Sequence, residues 1–189
     1  MSKQTYIGTY SGKEFDFINP KPEHICIEDI AHALSNICRF TGHVQTFYSV
    51  GQHSVLVADL FENDPELAFY GLMHDSTEAY VNDLSTPLKA LLRDYQKIEN
   101  TVWEAIANKF YMPFELPREI KAADLRLVLT EDRDLNQFQK IQLPGLLPLE
   151  TKIEAWSPNK TKQMFLDKFY ELYPIYLKTQ ENKIESIFN

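Results

Sequence analysis

The sequence has no long hydrophobic run and little cysteine. Its best uninterrupted apolar stretch, Leu67 to Met73, has seven residues, whereas a helix that crosses a bilayer needs about 20. The opening residues, MSKQTYIGTY, lack the apolar segment of a signal peptide. The two cysteines, Cys26 and Cys38, form neither a metal-binding pair nor a disulfide framework. These absences argue against a membrane partner and predict a cytoplasmic protein.

Positive charge is also scarce. The chain has 19 Lys and Arg residues against 27 Asp and Glu residues, which gives a net charge of −8 and a pI near 5.1. This average field repels a polymer of phosphates, so a nucleic acid polymer is not an expected partner. A small anionic ligand is compatible with it, because one metal ion and one or two cationic side chains reverse the charge locally.

The residues that are present fit one globular domain. With 189 residues, 44% of them hydrophobic, the chain can bury a single core. It shows no repeat, no low-complexity stretch and no linker long enough to divide it. We predict a single domain over 1–189, with a β decoration in 1–20, a helical core in 28–136 and a C-terminal loop and helix in 143–189.

Apolar spacing predicts an all-α bundle that follows a short N-terminal β-hairpin. Tyr6 and Phe15 mark the two short strands. Ser49 and Asp64 are expected to cap two helices, and Pro174 is expected to bend or end the last one. Helices are predicted over 28–38, 49–61, 64–80, 93–111, 117–135 and 161–177.

Imidazole and carboxylate side chains stand on helix faces that are otherwise apolar. His53 and Asp124 each have apolar neighbours on their own helix face, and His74-Asp75 follow an apolar run, with Glu78 one turn further on. Taken singly, His53 fits a hydrogen-bonded core histidine and His74-Asp75 fit the solvated end of a helix. Taken together, they predict a metal ion, because a buried carboxylate is costly without a counter-charge.

The order His53, His74-Asp75, Asp124 resembles the H…HD…D signature of the HD-domain metal phosphohydrolases. The resemblance covers roughly the whole predicted helical core. It implies an HD-domain helical bundle in which these four residues hold one divalent ion, with Co²⁺, Mn²⁺, Zn²⁺ and Mg²⁺ all open. It also implies that Glu78 orients or deprotonates the attacking water.

Further segments are similar to one branch of that family, the YfbR-like 5′-deoxynucleotidases. Arg39-Phe40 stand ahead of the first histidine, and the segments 83–89 (DLSTPLK) and 121–124 (KAAD) match two more motifs of the branch. The stretch 38–54, together with the short β start, is also similar to phage-encoded DatZ-type dATP triphosphohydrolases, whose site of action would be the host cytoplasm.

The resemblance implies roles for the residues outside the ligand set. Arg39 and Lys89 are candidates for contacts to phosphate oxygens. Phe40 is a candidate for stacking on the base, and it stands where the YfbR-like enzymes have tryptophan. Asp83 would share the work of Glu78 or hold the 3′-hydroxyl of the substrate.

Three functions remain open at this point. The first is hydrolysis of dATP, and of dADP and dAMP, to deoxyadenosine plus phosphate or triphosphate, which depletes the dATP pool. The second is a 5′-deoxynucleotidase restricted to deoxynucleoside monophosphates. The third is a non-catalytic HD module that binds a nucleotide and docks to a partner. A small-molecule deoxynucleotide and further copies of the chain, as a homo-oligomer, are the expected partners.

Overall fold

Helices make up most of the chain in a computed structural model that describes residues 4–136 and 141–188. The helices are α1 (Ile27–Asn36), α2 (Val50–Asp59), α3 (Pro65–Met73), α4 (Glu78–Val81), α5 (Thr86–Lys89), α6 (Arg93–Phe110), α7 (Arg118–Leu135) and α8 (Pro158–Phe188). Before them, β1 (Tyr6–Gly8) pairs antiparallel with β2 (Glu14–Asp16). The predicted all-α bundle with a short N-terminal β-hairpin is confirmed. Within the described ranges, no helix has both the length and the hydropathy that a bilayer span requires.

Two helices begin where local capping signals predicted. The hydroxyl of Ser49 accepts a hydrogen bond from the backbone N–H of Gln52, and α2 starts at the next residue. The carboxylate of Asp64 accepts from the N–H of Leu67 in the same way. Pro65 is at the first position of α3. Its lack of a backbone N–H costs no hydrogen bond, because an N–H at that position would have no partner within the helix. Both caps are confirmed.

The predicted end of the third helix is wrong. α3 ends at Met73 rather than near Tyr80, and the chain passes through turns before α4. The backbone N–H groups of Ser76 and Glu78 donate to carbonyl oxygens three residues back, at 3.0 Å each. These tighter turns interrupt the helix at His74 and Asp75, the pair that the sequence analysis singled out.

The last helix is longer than predicted. α8 runs through Pro174 without ending and begins before the predicted residue 161. The helix makes tertiary contacts on both sides of the proline. Phe169 and Tyr176 are buried, and beyond the proline the ammonium of Lys183 donates to the carboxylate of Glu66 on α3. These contacts offset a cost of about 3 kcal/mol for proline inside a helix.

The aromatic stripe of α8 packs onto α3. The ring centroid of Phe69 lies 4.5 Å from that of Tyr176 and 5.4 Å from that of Tyr173, and both pairs are stacked. Phe165 and Phe169 are buried beside them. The buried rings of this stripe are therefore part of the hydrophobic core.

Glycines allow the backbones of α1, α2 and α3 to approach closely. A Cβ atom on Gly51 would lie 2.9 Å from Cγ2 of Thr161 and 3.2 Å from the backbone carbonyl carbon of Leu34. A Cβ atom on Gly71 would lie 3.2 Å from the Cα and N atoms of Ala58. A side chain at either position therefore pushes neighbouring helices apart.

Replacement of Gly51 should destabilise the fold. We expect Gly51→Val to lower the free energy of unfolding by about 1–3 kcal/mol, because backbone atoms of α1 must move to admit the side chain. Gly8→Val is the control, since no atom lies within 4 Å of a Cβ at that exposed strand position, and its effect should stay within about 0.5 kcal/mol. Urea unfolding followed by circular dichroism measures both. Equal stabilities for the two variants would contradict the close-packing argument.

Candidate metal centre

Side chains from α2, from the end of α3 and from α7 meet at one point. Nε2 of His53, which is fully buried, lies 3.3 Å from Nε2 of His74 and 3.3 Å from Oδ1 of Asp124. One candidate ligand atom from each of these three residues lies within 4.8 Å of the other two. The structure therefore brings together three side chains from distant parts of the sequence that were predicted to meet.

Asp75 adds an oxygen beside the same point. Its Oδ2 atom lies 3.2 Å from Nε2 of His74 and 3.6 Å from Nε2 of His53. Burial raises the pKa of this carboxyl, but the charges of His74, His53 and Arg39 hold it well below its ordinary value. Asp75 is therefore an ionised carboxylate that is placed next to both imidazoles.

Hydrogen bonds fix where the protons of the two imidazoles lie. Nδ1 of His74 is 2.7 Å from the carbonyl oxygen of Gly71, which can only accept, so this nitrogen carries a proton. Nδ1 of His53 is 2.6 Å from Oε1 of Glu131 and donates to that carboxylate. In the neutral rings, both Nε2 atoms therefore present lone pairs to one another and to the Asp124 oxygen.

A positive charge fits this cluster of acceptors. Burial and the Arg39 guanidinium lower the pKa of His53, but Glu131 and Asp124 raise it to about 9. The carboxylates thus favour a positive charge at His53. When no metal is bound, a proton on the imidazole supplies that charge. Imidazole nitrogens and carboxylate oxygens are also the donors that divalent metal ions take in mixed sites. His53, His74 and Asp124 are a group that could hold a metal ion.

A cavity of about 350 Å³ opens beside the cluster. Its wall comes from the turn after α1, from the segment between α3 and α6 and from α7. It includes every predicted site residue except the two histidines. The charged and aromatic side chains that line it are Arg39, Phe40, Asp75, Glu78, Asp83, Lys89, Lys121 and Asp124.

Lysines at the cavity are already paired with carboxylates. Nζ of Lys89 donates to Oε1 of Glu99 at 2.7 Å. Nζ of Lys121 donates to Oδ2 of Asp124 at 2.6 Å. A bound anion would therefore share each lysine with a carboxylate, and the lysines alone do not make the cavity strongly basic.

Arg39 is buried and shares a strained turn with Phe40. Nε and Nη2 of Arg39 donate to Oε2 of Glu131 at 3.1 and 3.0 Å, and its guanidinium carbon lies 5.6 Å from the Phe40 ring centroid. Phe40 and Thr41 both have a φ of 55°, in the left-handed region that residues with a Cβ atom rarely occupy. Strain of this kind persists where the surrounding structure enforces it, often at functional sites.

Glu78 places a buried carboxyl group at the cavity. Its Oε2 atom is buried and has no hydrogen-bond partner within the described ranges. Burial, together with the negative charges of Asp75 and Asp83, raises the pKa of Glu78 well above its ordinary value. Burial also raises the pKa of Asp83. Glu78 therefore has an unused hydrogen-bonding atom and an unusual affinity for a proton.

Sequence reasoning misses Glu131. This residue is fully buried on α7, where its carboxylate contacts both His53 and Arg39. It lies seven residues after Asp124 and four after Leu127, so the helical spacing puts all three on one face. A second carboxylate on an apolar helix face is the same kind of sequence signal that singled out Asp124, and it could have identified Glu131.

Comparison with known proteins supports a family assignment. No family model matches the chain. The chain is 40% identical over 173 residues to the uncharacterized protein YfdR of Escherichia coli strain K12, an alignment that covers 89% of this chain and 96% of YfdR. It is 35% identical over 152 residues to an uncharacterized protein of Rhodobacter capsulatus, with 74% of this chain and 78% of that protein covered. The chain therefore belongs to the same protein family as YfdR.

Proposed function

We propose that this chain is a divalent-metal-dependent phosphohydrolase of the HD-domain type that acts on deoxynucleotides. One observation carries the proposal. The Nε2 atoms of His53 and His74 face each other at 3.3 Å, with carboxylate oxygens of Asp124 and Asp75 at 3.2 to 3.6 Å from one or both of them. No proton donor of the neutral rings points into this space, which favours a positive charge there, either a proton on His53 or a bound metal ion.

The ligand set would be His53, His74, Asp75 and Asp124. The family resemblance includes Asp75, and its distance to both imidazoles agrees with a place in the set. A divalent ion such as Co²⁺, Mn²⁺, Zn²⁺ or Mg²⁺ would supply Lewis-acid activation of a phosphate ester and of water when bound. The adjacent cavity leaves room for both reactants.

Glu78 would move the proton. Glu78 lines the cavity, and its buried Oε2 atom lacks a partner in the part of the chain that the structure describes, so this carboxyl can accept a hydrogen bond from the attacking water. In the reaction the water oxygen bonds to phosphorus and the bond from phosphorus to the leaving oxygen breaks. The water proton passes to Glu78 and then to the leaving oxygen. Asp83, which lines the same cavity, would assist Glu78 or hold the 3′-hydroxyl of the substrate.

Arg39, Lys89 and Phe40 would bind the substrate. Two nitrogens of Arg39 are committed to Glu131, which leaves Nη1 as the guanidinium nitrogen for a phosphate oxygen. Lys89 lines the same cavity and would share its ammonium group between Glu99 and a phosphate oxygen. Phe40, beside the arginine, offers an aromatic face to a base.

The net charge of the cavity affects how many phosphate groups a bound substrate can carry. Four carboxyl groups face three cations there: Asp75, Glu78, Asp83 and Asp124 against Arg39, Lys89 and Lys121. With a divalent ion added, this balance suits a monophosphate of about −2 charge better than a triphosphate, which carries more. The resemblance to dATP triphosphohydrolases makes dATP the first candidate, and the charge balance makes a deoxynucleoside monophosphate the second.

Loss of a ligand should abolish metal binding. We expect His74→Ala and Asp75→Ala to purify without the metal that the wild-type chain retains, because each removes a donor from a set of four. Elemental analysis of the purified proteins measures this directly. His32→Ala is the control, since His32 stacks on Tyr10 away from the cluster and should not affect metal content. Full metal retention in both ligand variants would rule out the assigned site.

Loss of the Glu78 carboxyl should slow the reaction without removing the metal. We expect Glu78→Gln to retain metal and to lower kcat by about 10²–10⁴, the usual contribution of a general acid–base group. Glu104→Gln, at an exposed position on α6, should match the wild-type rate. Normal turnover by the Glu78 variant would show that this carboxyl is structural.

Product analysis should identify the substrate. We expect the metal-loaded protein to release phosphate or triphosphate from dAMP, dADP or dATP, detected by malachite green and by chromatography of the nucleoside. Hydrolysis of dATP at the highest kcat/KM would support the first candidate, and hydrolysis confined to monophosphates would support the second. Inactivity towards every nucleotide with metal fully bound would contradict the enzyme and indicate a binding module.

A further inference from the structure

We propose that Glu131 is a positioning residue that holds a metal ligand and the phosphate-facing guanidinium with one carboxylate. This inference rests on the proposed function and adds a residue that the ligand set and the substrate contacts do not include. Glu131 touches neither the cation position nor the substrate cavity in our assignment. Its effect would pass through His53 and Arg39.

The geometry gives each oxygen of Glu131 a separate task. Oε1 lies 2.6 Å from Nδ1 of His53, and Oε2 accepts hydrogen bonds from Nε and Nη2 of Arg39 at 3.1 and 3.0 Å. The side chain of Glu131 has no exposed surface. This buried carboxylate thus makes hydrogen bonds to two residues of the site.

The first task is to orient the His53 imidazole. Asp124 and Glu131 project from the same face of α7, and they contact opposite nitrogens of that ring, Nε2 at 3.3 Å and Nδ1 at 2.6 Å. A carboxylate at Nδ1 fixes the proton there, aims the Nε2 lone pair at the cation position and makes the ring a stronger donor. One helix therefore supplies both a ligand and the support for another ligand.

The second task is to hold Arg39. This guanidinium is nearly buried, with a side-chain exposure of 10%, and a buried cation without a partner is strongly destabilising. Glu131 neutralises it and occupies two of its three nitrogens. The third, Nη1, lies 3.6 Å from Oδ2 of Asp75, beside the cavity. The ion pair thus points the remaining N–H groups of Arg39 toward the place where a phosphate would sit.

An amide cannot replace this carboxylate. Both partners of Glu131 are proton donors, Nδ1 of His53 and the guanidinium of Arg39. A glutamine side chain has one accepting oxygen and one donating NH₂ group. In either orientation the NH₂ group opposes a donor, so Glu131→Gln must disturb the imidazole, the guanidinium or both.

The experiment compares Glu131→Gln with the wild-type chain and with Asp29→Asn. Asp29 is another buried carboxylate, which accepts from the backbone N–H and hydroxyl of Ser11 and so joins the β-hairpin to α1, away from the site. Metal affinity is measured by titration of the metal-free proteins with Co²⁺, followed by its visible absorption. KM and kcat are then measured with the best deoxynucleotide at saturating metal.

We expect Glu131→Gln to bind Co²⁺ about 10–100-fold more weakly than wild type and to show an altered Co²⁺ spectrum. At saturating metal its KM should remain raised roughly tenfold, because Arg39 has lost charged hydrogen bonds. Asp29→Asn should lose thermal stability but keep the wild-type Co²⁺ affinity, spectrum and KM. A purely structural role for Glu131 would make the two variants alike.

A second variant protects the test against misfolding. Arg39→Met/Glu131→Gln removes the buried guanidinium along with its partner, which avoids an unpaired buried charge. This double variant should still bind Co²⁺ about 10–100-fold more weakly, since His53 has lost its carboxylate. If the wild-type chain binds metal and hydrolyses nucleotide but either Glu131 variant keeps the wild-type Co²⁺ affinity, this inference alone is overturned. A wild-type chain that binds no divalent ion overturns the proposed function, and this inference with it.

Discussion

The Nε2 atoms of His53 and His74 lie 3.3 Å apart, and the hydrogen bonds of both Nδ1 atoms turn two lone pairs toward each other. Carboxylate oxygens of Asp75 and Asp124 adjoin the same space. Acceptors that are buried against acceptors repel, and their desolvation is not repaid without positive charge. The site therefore favours a positive charge at this point, either a proton on His53 or a metal ion.

Close helix packing brings these atoms together. Gly71 lets α3 approach the backbone of α2, because a side chain there would meet Ala58 at 3.2 Å. The carbonyl oxygen of the same glycine accepts the hydrogen bond from Nδ1 of His74. One residue thus sets both the distance between the helices that carry the imidazoles and the orientation of one of the rings. The end of α3 at Met73 then places Asp75 in a turn beside them.

Local signals were enough to predict much of the fold. Ser49 and Asp64 cap their helices through hydrogen bonds that span only three residues, so the neighbouring sequence contains all the needed information. The helix that continues through Pro174 could not be predicted in this way. Its continuation depends on contacts such as that of Lys183 with Glu66, 117 residues away in the chain.

By itself, the sequence determined which residues are out of place on apolar helix faces, and therefore that His53, His74 and Asp124 were worth considering together. Only the tertiary structure decided that their ligand atoms meet within 4.8 Å and that Glu131 links His53 to Arg39. The reason is physical: helical periodicity specifies the face on which a side chain stands. The distance and orientation between two such faces are set by the packing of whole helices.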